Sequence, residues 1–156
     1  MKFIGVDPSL TESKFQVCII NTDLKTATFK RVKNLTVYMQ ILIEEEPDAI
    51  IVENSNLQKA VFNPNAGIGG AIAVGKNMGL SQAVADISDL YSKIPSGISP
   101  KEKGAKIANE MIFQGITKGL DLIGYKPQYE YSQDQRDAFM LAQLAEKKFK
   151  TFLREP

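Results

Sequence analysis

The stretch Ala49–Glu53 (AIIVE) decides the fold, because it is a continuous apolar run that ends in a carboxylate. Such a run, rich in β-branched side chains, is typical of a central strand that is buried on both faces. Upstream of it, Val37, Ile41 and Leu42 recur at helical spacing before Pro47, which predicts a helix leading into the strand. We therefore expect a helical crossover followed by a strand in the middle of a sheet.

Three strand-like segments precede that crossover. Phe3–Val6 is a short run of the buried type, Phe15–Ile20 is rich in β-forming residues, and Thr26–Val32 alternates after a turn signal. We expect these three strands to be antiparallel. Because a helical crossover usually returns the chain parallel to a strand already in the sheet, Ala49–Val52 should run parallel to Phe3–Val6. The fold class is therefore α/β.

The predicted strand arrangement makes four acidic residues a candidate metal site. Asp7 and Glu53 end the two parallel strands, where ligands of open α/β sheets usually bind. Asp134 and Asp137 stand at i and i+3 in the first turns of a final helix, on the side that continues into Leu141. Convergent carboxylates are what oxygen-loving divalent cations require. For the helical pair alone, the helix dipole is the better explanation of acids in a first turn.

Composition narrows the possible functions. The chain of 156 residues is long enough for one packed domain and too short for two ordinary ones. It has no histidine, which excludes His-based catalytic triads and His metal ligands. Its lone cysteine, Cys18, cannot form an intramolecular disulfide. No segment approaches a membrane span, so we expect a cytoplasmic protein with no membrane partner.

Two capping-box patterns predict the later helices. Ser99, Pro100 and Glu102 suit the start of a helix that runs towards Lys118. Ser132 and Gln135 suit the start of the final helix.

The net charge is only +1, so any DNA contact must come from local cations near the acidic edge. The candidates are Lys76, Lys101, Lys103, Lys106, Lys118 and Arg136. For the lysines alone, a solvated helix face is the stronger interpretation.

A long helix is predicted between Gly70 and Leu90, and it is apolar on more than one side. A stripe of small residues recurs along it at four-residue spacing, which lets another helix approach closely; its members are Ala71, Gly75, Gly79 and Ala83. The second apolar face is therefore either a dimer seam or a face covered within the same chain.

The order of these motifs resembles the RuvC family of Holliday junction resolvases, within the ribonuclease H-like nucleases, and particularly its divergent phage-borne members. The motifs are Gly5–Leu10 (GVDPSL), Ile51–Glu53 (IVE) and Asp134–Ala138 (DQRDA). The resemblance covers nearly the whole chain. It implies a single RuvC-like nuclease domain over residues 1–156, with a ribonuclease H-like fold whose mixed five-stranded sheet is flanked by helices.

The resemblance also implies a function. Asp7, Glu53, Asp134 and Asp137 would hold Mg²⁺, with Mn²⁺ as a substitute, and Lys103 matches a basic position near the scissile phosphate. The protein would be a homodimeric, structure-selective endonuclease that nicks Holliday junctions and other branched DNA, such as forks and flaps, in recombination or replication. If it is phage-encoded, it would act in the host cytoplasm.

One position departs from the family. Bacterial members commonly carry an aromatic junction wedge three residues after the glutamate, where this chain has Asn56. Leu57 and Phe62 are the candidate substitutes, and either is equally well explained as an ordinary loop anchor. Sequence preference at the cut site therefore does not transfer from the family.

Other function classes stay open. Gly70–Asn77 nearly spells a phosphate-binding P-loop, but Asn77 lacks the required hydroxyl and no buried strand directly precedes the motif. An ATP-binding domain of the actin or sugar-kinase type shares the ribonuclease H-like fold, although this chain is short for its two lobes. The main non-enzyme alternative is a protein that binds branched DNA without cutting it.

Overall fold

Six strands form one mixed sheet in residues 1–57 and 67–155, which are the residues that the computed structural model describes. Their order across the sheet is β5-β4-β1-β2-β3-β6. The strands are β1 (Lys2–Asp7), β2 (Gln16–Asn21), β3 (Thr26–Arg31), β4 (Ala49–Glu53), β5 (Gly97–Ile98) and β6 (Asp121–Ile123). The predicted count of five is one short, because the two edge strands are too brief to show any periodicity in the sequence.

Five helices flank the sheet within the described residues. They are α1 (Leu35–Glu45), α2 (Ile68–Asp89), α3 (Pro100–Lys103), α4 (Glu110–Ile116) and α5 (Ser132–Arg154), with 3₁₀ turns at Glu12–Lys14 and Ser55–Leu57. The predicted long helix Gly70–Leu90 is confirmed as α2. Since Gly70–Asn77 lies within its helical turns, this segment does not form the open loop that a P-loop needs. No helix of the described part is long and apolar enough to cross a membrane.

The predicted crossover is confirmed. Strands β1, β2 and β3 are antiparallel neighbours, and β4 returns parallel to β1 with Val6 opposite Val52. Asp7 is the residue after Val6, and Glu53 is the residue after Val52, so the two acids lie side by side at the same edge of the sheet. The residues that form β4 are all buried up to Val52, as a central strand requires.

Helix α5 crosses one face of the sheet at unusually short distance because β1 contains Gly5. A Cβ atom at this position would lie 2.0 Å from the Ala138 carbonyl oxygen and 2.2 Å from the Ala142 nitrogen. The buried stripe of α5 continues through Leu141 and Ala145 onto the same face. Close packing against Gly5 thus fixes the height at which the first turns of α5 stand over the end of β1.

The opposite face of the sheet is covered by α1 and α2. Ile4, Val6 and Val52 pack there against Tyr38 of α1 and Val84 of α2, and all five are fully buried. Burial of such side chains contributes on the order of 1.5–3 kcal/mol each. The sheet is therefore held between two apolar layers, while the site described below lies at the ends of its central strands.

Two predictions about the later helices are wrong. The Ser99–Glu102 capping box is present, but the helix ends at Lys103 because Gly104 adopts a φ of 85°, and α4 begins only after Asn109. Ser132 and Gln135 do not form a capping box. The Ser132 hydroxyl instead accepts from the Tyr129 backbone and donates to the Lys126 carbonyl, so it fastens the preceding loop.

The first half of α2 has an exposed apolar surface. Ile72 and Val74 are 53% and 59% exposed, and a Cβ atom built at Gly75 or Gly79 meets no other described atom within 4 Å. Within the described residues, the small-residue stripe is therefore not covered by another part of the chain.

Candidate active site

The four predicted carboxylates come together at the ends of β1 and β4. Asp7 ends β1, Glu53 ends β4, and the first turns of α5 bring Asp134 and the buried Asp137 over the same edge. Burial first, and then the charges of Glu53 and Asp137, raise the pKa of Asp7 well above its ordinary value. Burial and Asp137 likewise raise the pKa of Asp134. The cluster is thus a set of mutually repelling acids, which a cation would stabilise.

Lys103 lies against two of these acids. Its Nζ is 2.5 Å from Glu53 Oε2 and 3.7 Å from Asp137 Oδ2, and its side chain is only 7% exposed. Burial alone lowers the pKa of Lys103, but the hydrogen bond to Glu53 and the neighbouring negative charges raise it overall. Lys103 is therefore a buried ammonium ion that contacts the acids directly.

The orientation of Asp137 is fixed by a chain of hydrogen bonds. Gln133 Nε2 donates to Asp137 Oδ1 at 2.9 Å, and Arg136 Nη2 donates to Gln133 Oε1 at 3.0 Å. Arg136 in turn donates to the Ile107 carbonyl at 2.8 Å and to Glu110 Oε1 at 2.7 Å. This chain ties the acidic site to α4 and to the segment before it.

Arg136 itself does not fit its predicted role in DNA binding. Its side chain is 8% exposed and points into the protein, where it pairs with Glu110.

The other candidate cations differ in their distance from the acids. Lys106 is 62% exposed with its Nζ 4.0 Å from Asp137 Oδ2, so it lies at the rim of the site. The side chains of Lys76, Lys101 and Lys118 are exposed, and the described residues show no contact between them and the four acids.

Two residues near the site were missed in the sequence. Lys14, in the 3₁₀ turn after β1, lies near enough to Asp134 for its charge to oppose the rise in that carboxyl pKa. Gln133 contacts Asp137 directly. No local pattern signals the role of Lys14, because it and Asp134 are far apart in the chain. Gln133 and Asp137 stand at i and i+4 of one helix, a spacing at which such side chains can hydrogen-bond, so this signal was present in the sequence.

The segment after Glu53 is only partly described. Asn56, which stands at the position of the family wedge, donates from Nδ2 to the Met78 carbonyl at 2.6 Å and is therefore bound to α2. Leu57 is 52% exposed, and Phe62 lies outside the described residues. Leu57, exposed and in the 3₁₀ turn after β4, stays a predicted wedge candidate.

The donor set suits a divalent cation by its chemistry, since it consists of carboxylate oxygens. The present side-chain positions do not form a ready-made site: no three His, Cys, Asp or Glu side chains of residues 1–57 and 67–155 are arranged so that they can hold a metal ion. The Lys103 ammonium stands between two of the carboxylates instead.

No protein-family model matches the sequence, and no curated protein matches it. Among solved structures, the fold is similar to that of T. thermophilus RuvC in complex with a Holliday junction substrate. The TM-score is 0.54 and the sequence identity is 17%, over 99% of this chain and 96% of the other. The predicted fold class is thereby confirmed as a RuvC-like, ribonuclease H-like α/β fold.

Proposed function

We propose that this chain is a Mg²⁺-dependent, structure-selective endonuclease that nicks Holliday junctions and other branched DNA in recombination or replication. It would act as one RuvC-like domain over residues 1–156, of the divergent phage-borne type, with Mn²⁺ able to replace Mg²⁺. The observation that carries the proposal is the convergence of Asp7, Glu53, Asp134 and Asp137 at the carboxyl ends of two parallel strands. The similarity of the fold to that of T. thermophilus RuvC in complex with a Holliday junction substrate supports it.

The chemistry assigned to each residue follows from charge and position. Asp7, Glu53, Asp134 and Asp137 would hold Mg²⁺, which would supply Lewis-acid activation of water and of the phosphate. Lys103 places a positive charge beside the same acids, where it can stabilise negative charge that grows on the phosphate in the transition state. Gln133 holds Asp137 in one orientation, and Lys106 at the rim is placed to contact a neighbouring phosphate.

Cleavage of a synthetic four-way junction tests the proposal against its alternatives. Protein is added to the labelled junction or to a linear duplex of the same sequence, with Mg²⁺ or with EDTA, and ATP hydrolysis is measured in parallel. Mg²⁺-dependent nicking of the junction and not of the duplex is the expected result. Junction binding without nicking would identify a non-catalytic structure-binding protein, and ATP turnover would identify a kinase-like domain.

We further propose that the enzyme is a homodimer, because a four-way junction offers two equivalent strands and paired cutting needs two sites related by a two-fold axis. The small-residue stripe on α2, which no described residue covers, is the candidate seam. Gly79→Leu should weaken assembly and paired cutting together, as measured by light scattering and by the ratio of single to paired nicks. Gly115→Leu, at an exposed helical glycine of α4 that also has open space around it, is the matched control. A strict monomer that still cuts symmetrically would contradict the dimer.

A further inference from the structure

Lys103 has surroundings unlike those of the other lysines on its segment. Lys101, two residues earlier in α3, is exposed, and Lys106 is 62% exposed. The Lys103 side chain is 7% exposed, and its ammonium hydrogen-bonds Glu53 at 2.5 Å. An ammonium ion is strongly hydrated and is seldom buried without a partner. Glu53 and Asp137, with the charge of Asp7 nearby, supply the partners that a buried ammonium needs.

The position of this ammonium excludes a metal ion from the same place. Divalent cations bind carboxylate oxygens at about 2.0–2.6 Å, and Lys103 Nζ already lies within this range of Glu53 Oε2. As they stand, no three acids of the described residues are arranged to hold a metal ion. The ammonium and a divalent cation held by Glu53 and Asp137 are therefore mutually exclusive occupants.

The segment that carries Lys103 allows it to leave. Helix α3 is only four residues long, and Gly104 after it has a φ of 85°, a backbone conformation that glycine adopts freely. The lysine side chain is itself a flexible four-carbon stem. Withdrawal of the ammonium from Glu53 thus needs a rotamer change or a small movement of α3, with no rearrangement of the sheet.

We propose that Lys103 is an internal counter-ion of the acidic site, and that metal binding is an exchange in which the divalent cation displaces its ammonium from Glu53 and Asp137. This inference rests on the proposed function, because it takes the four carboxylates to be the metal ligands. Lys103 lowers metal affinity in the free protein. The exchange then leaves the ammonium beside the site and free to pair with a phosphate, so DNA and metal assist each other's binding.

Calorimetry with Mg²⁺ or Ca²⁺ on the metal-free full chain tests the exchange without any cleavage. Lys103→Met should bind the cation more tightly than the wild type, by roughly 5- to 150-fold, the usual range for coupled sites. Lys147→Met removes an exposed lysine charge of α5 far from its acidic first turns and should leave the affinity unchanged. Equal or weaker binding by Lys103→Met would overturn the exchange.

A second readout uses the unaltered chain and so does not depend on the folding of a variant. Lys103 should react slowly with an amine-reactive reagent in EDTA and faster with saturating Ca²⁺, as followed by peptide mass spectrometry, while Lys101 reacts at a constant rate. A Lys103 rate that does not change on cation binding would overturn the proposal.

The two proposals fail in different ways. If the wild type binds the cation and Asp7→Asn does not, the metal site stands, and the affinity of Lys103→Met and the reactivity of Lys103 decide the exchange. If neither the wild type nor Lys103→Met binds a cation saturably, the metal site itself is wrong and the exchange falls with it.

Discussion

Substitution of Gly5 by alanine should disturb the candidate site without touching any of its charged residues. Gly5 lies in the middle of β1, directly below the backbone of α5, and its added Cβ would lie 2.0 Å from the Ala138 carbonyl oxygen. Atoms in normal contact are about 3.5 Å or more apart. Since the obstructing atoms belong to the helix backbone, no side chain can rotate away, and α5 must retreat by roughly 1.5 Å.

The size of the effect follows from that displacement. Overpacking of a core usually costs about 1–3 kcal/mol, and a clash with backbone should fall at the upper end. For a domain of this size, a loss of about 3 kcal/mol lowers the melting temperature by roughly 6–12 °C. Asp134 and Asp137 move with α5 relative to Asp7, and a misplacement of about 1 Å can reduce a rate by roughly 100-fold.

Urea unfolding and junction cleavage at a temperature where the variant is folded measure the two effects separately. Gly97→Ala is the matched control, because its Cβ in strand β5 would meet its nearest neighbours at an ordinary 3.7–3.8 Å. A Gly5→Ala protein as stable and as active as Gly97→Ala would refute the claim that close helix packing sets the site.

Three further predictions concern the charges of the site. The pKa values of Asp7 and Asp134 are raised, so the folded, metal-free protein keeps protons that the unfolded chain releases. Its stability should therefore fall as pH rises above the ordinary carboxyl range. Asp7→Asn should flatten this decline of the melting temperature with pH, and a variant with the wild-type pH dependence would contradict the prediction. Gln133→Leu, which removes the hydrogen bond to Asp137, should slow cleavage by roughly 10- to 100-fold with little loss of junction binding. Gln143→Leu, on the exposed side of α5, is the control and should have no effect. Equal cleavage rates for the two variants would show that Gln133 does not position Asp137. Each lysine that contacts a phosphate adds about 0.9 to the magnitude of the slope of log binding constant against log salt concentration. Alanine substitution of a contacting lysine should therefore reduce that slope by this amount. If the slope stays constant, the substituted residue does not contact DNA; the lysines to test are Lys76, Lys101, Lys106 and Lys118.

The central strands and the convergence of the acids could be predicted because their signals are local. The run Ala49–Val52 shows its burial in its own composition, and the helical spacing before it requires a crossover. Once β4 is parallel to β1, Asp7 and Glu53 must share an edge. The i, i+3 spacing of Asp134 and Asp137 then places both on the inner side of α5.

The directions of the charged side chains could not be predicted in this way. Arg136 turns inward because Glu110 and the Ile107 carbonyl, which are distant in sequence, accept its hydrogen bonds. Lys103 is buried because Glu53, fifty residues earlier in the chain, lies next to it. The end of α3 was also missed, since an isolated glycine such as Gly104 is tolerated in many helices and its φ of 85° is fixed only by the folded chain.

Amide substitution of the four acids tests the central claim most directly. Asp7→Asn, Glu53→Gln, Asp134→Asn and Asp137→Asn are compared with the wild type for nicking of a four-way junction in Mg²⁺ at saturating protein. Asp23→Asn, at an acid whose side chain is 83% exposed and pairs with the N-terminus, is the control. Each of the four substitutions should abolish nicking and leave junction binding largely intact, while the control cuts normally. An Asp7→Asn protein that nicks the junction at the wild-type rate would contradict the account.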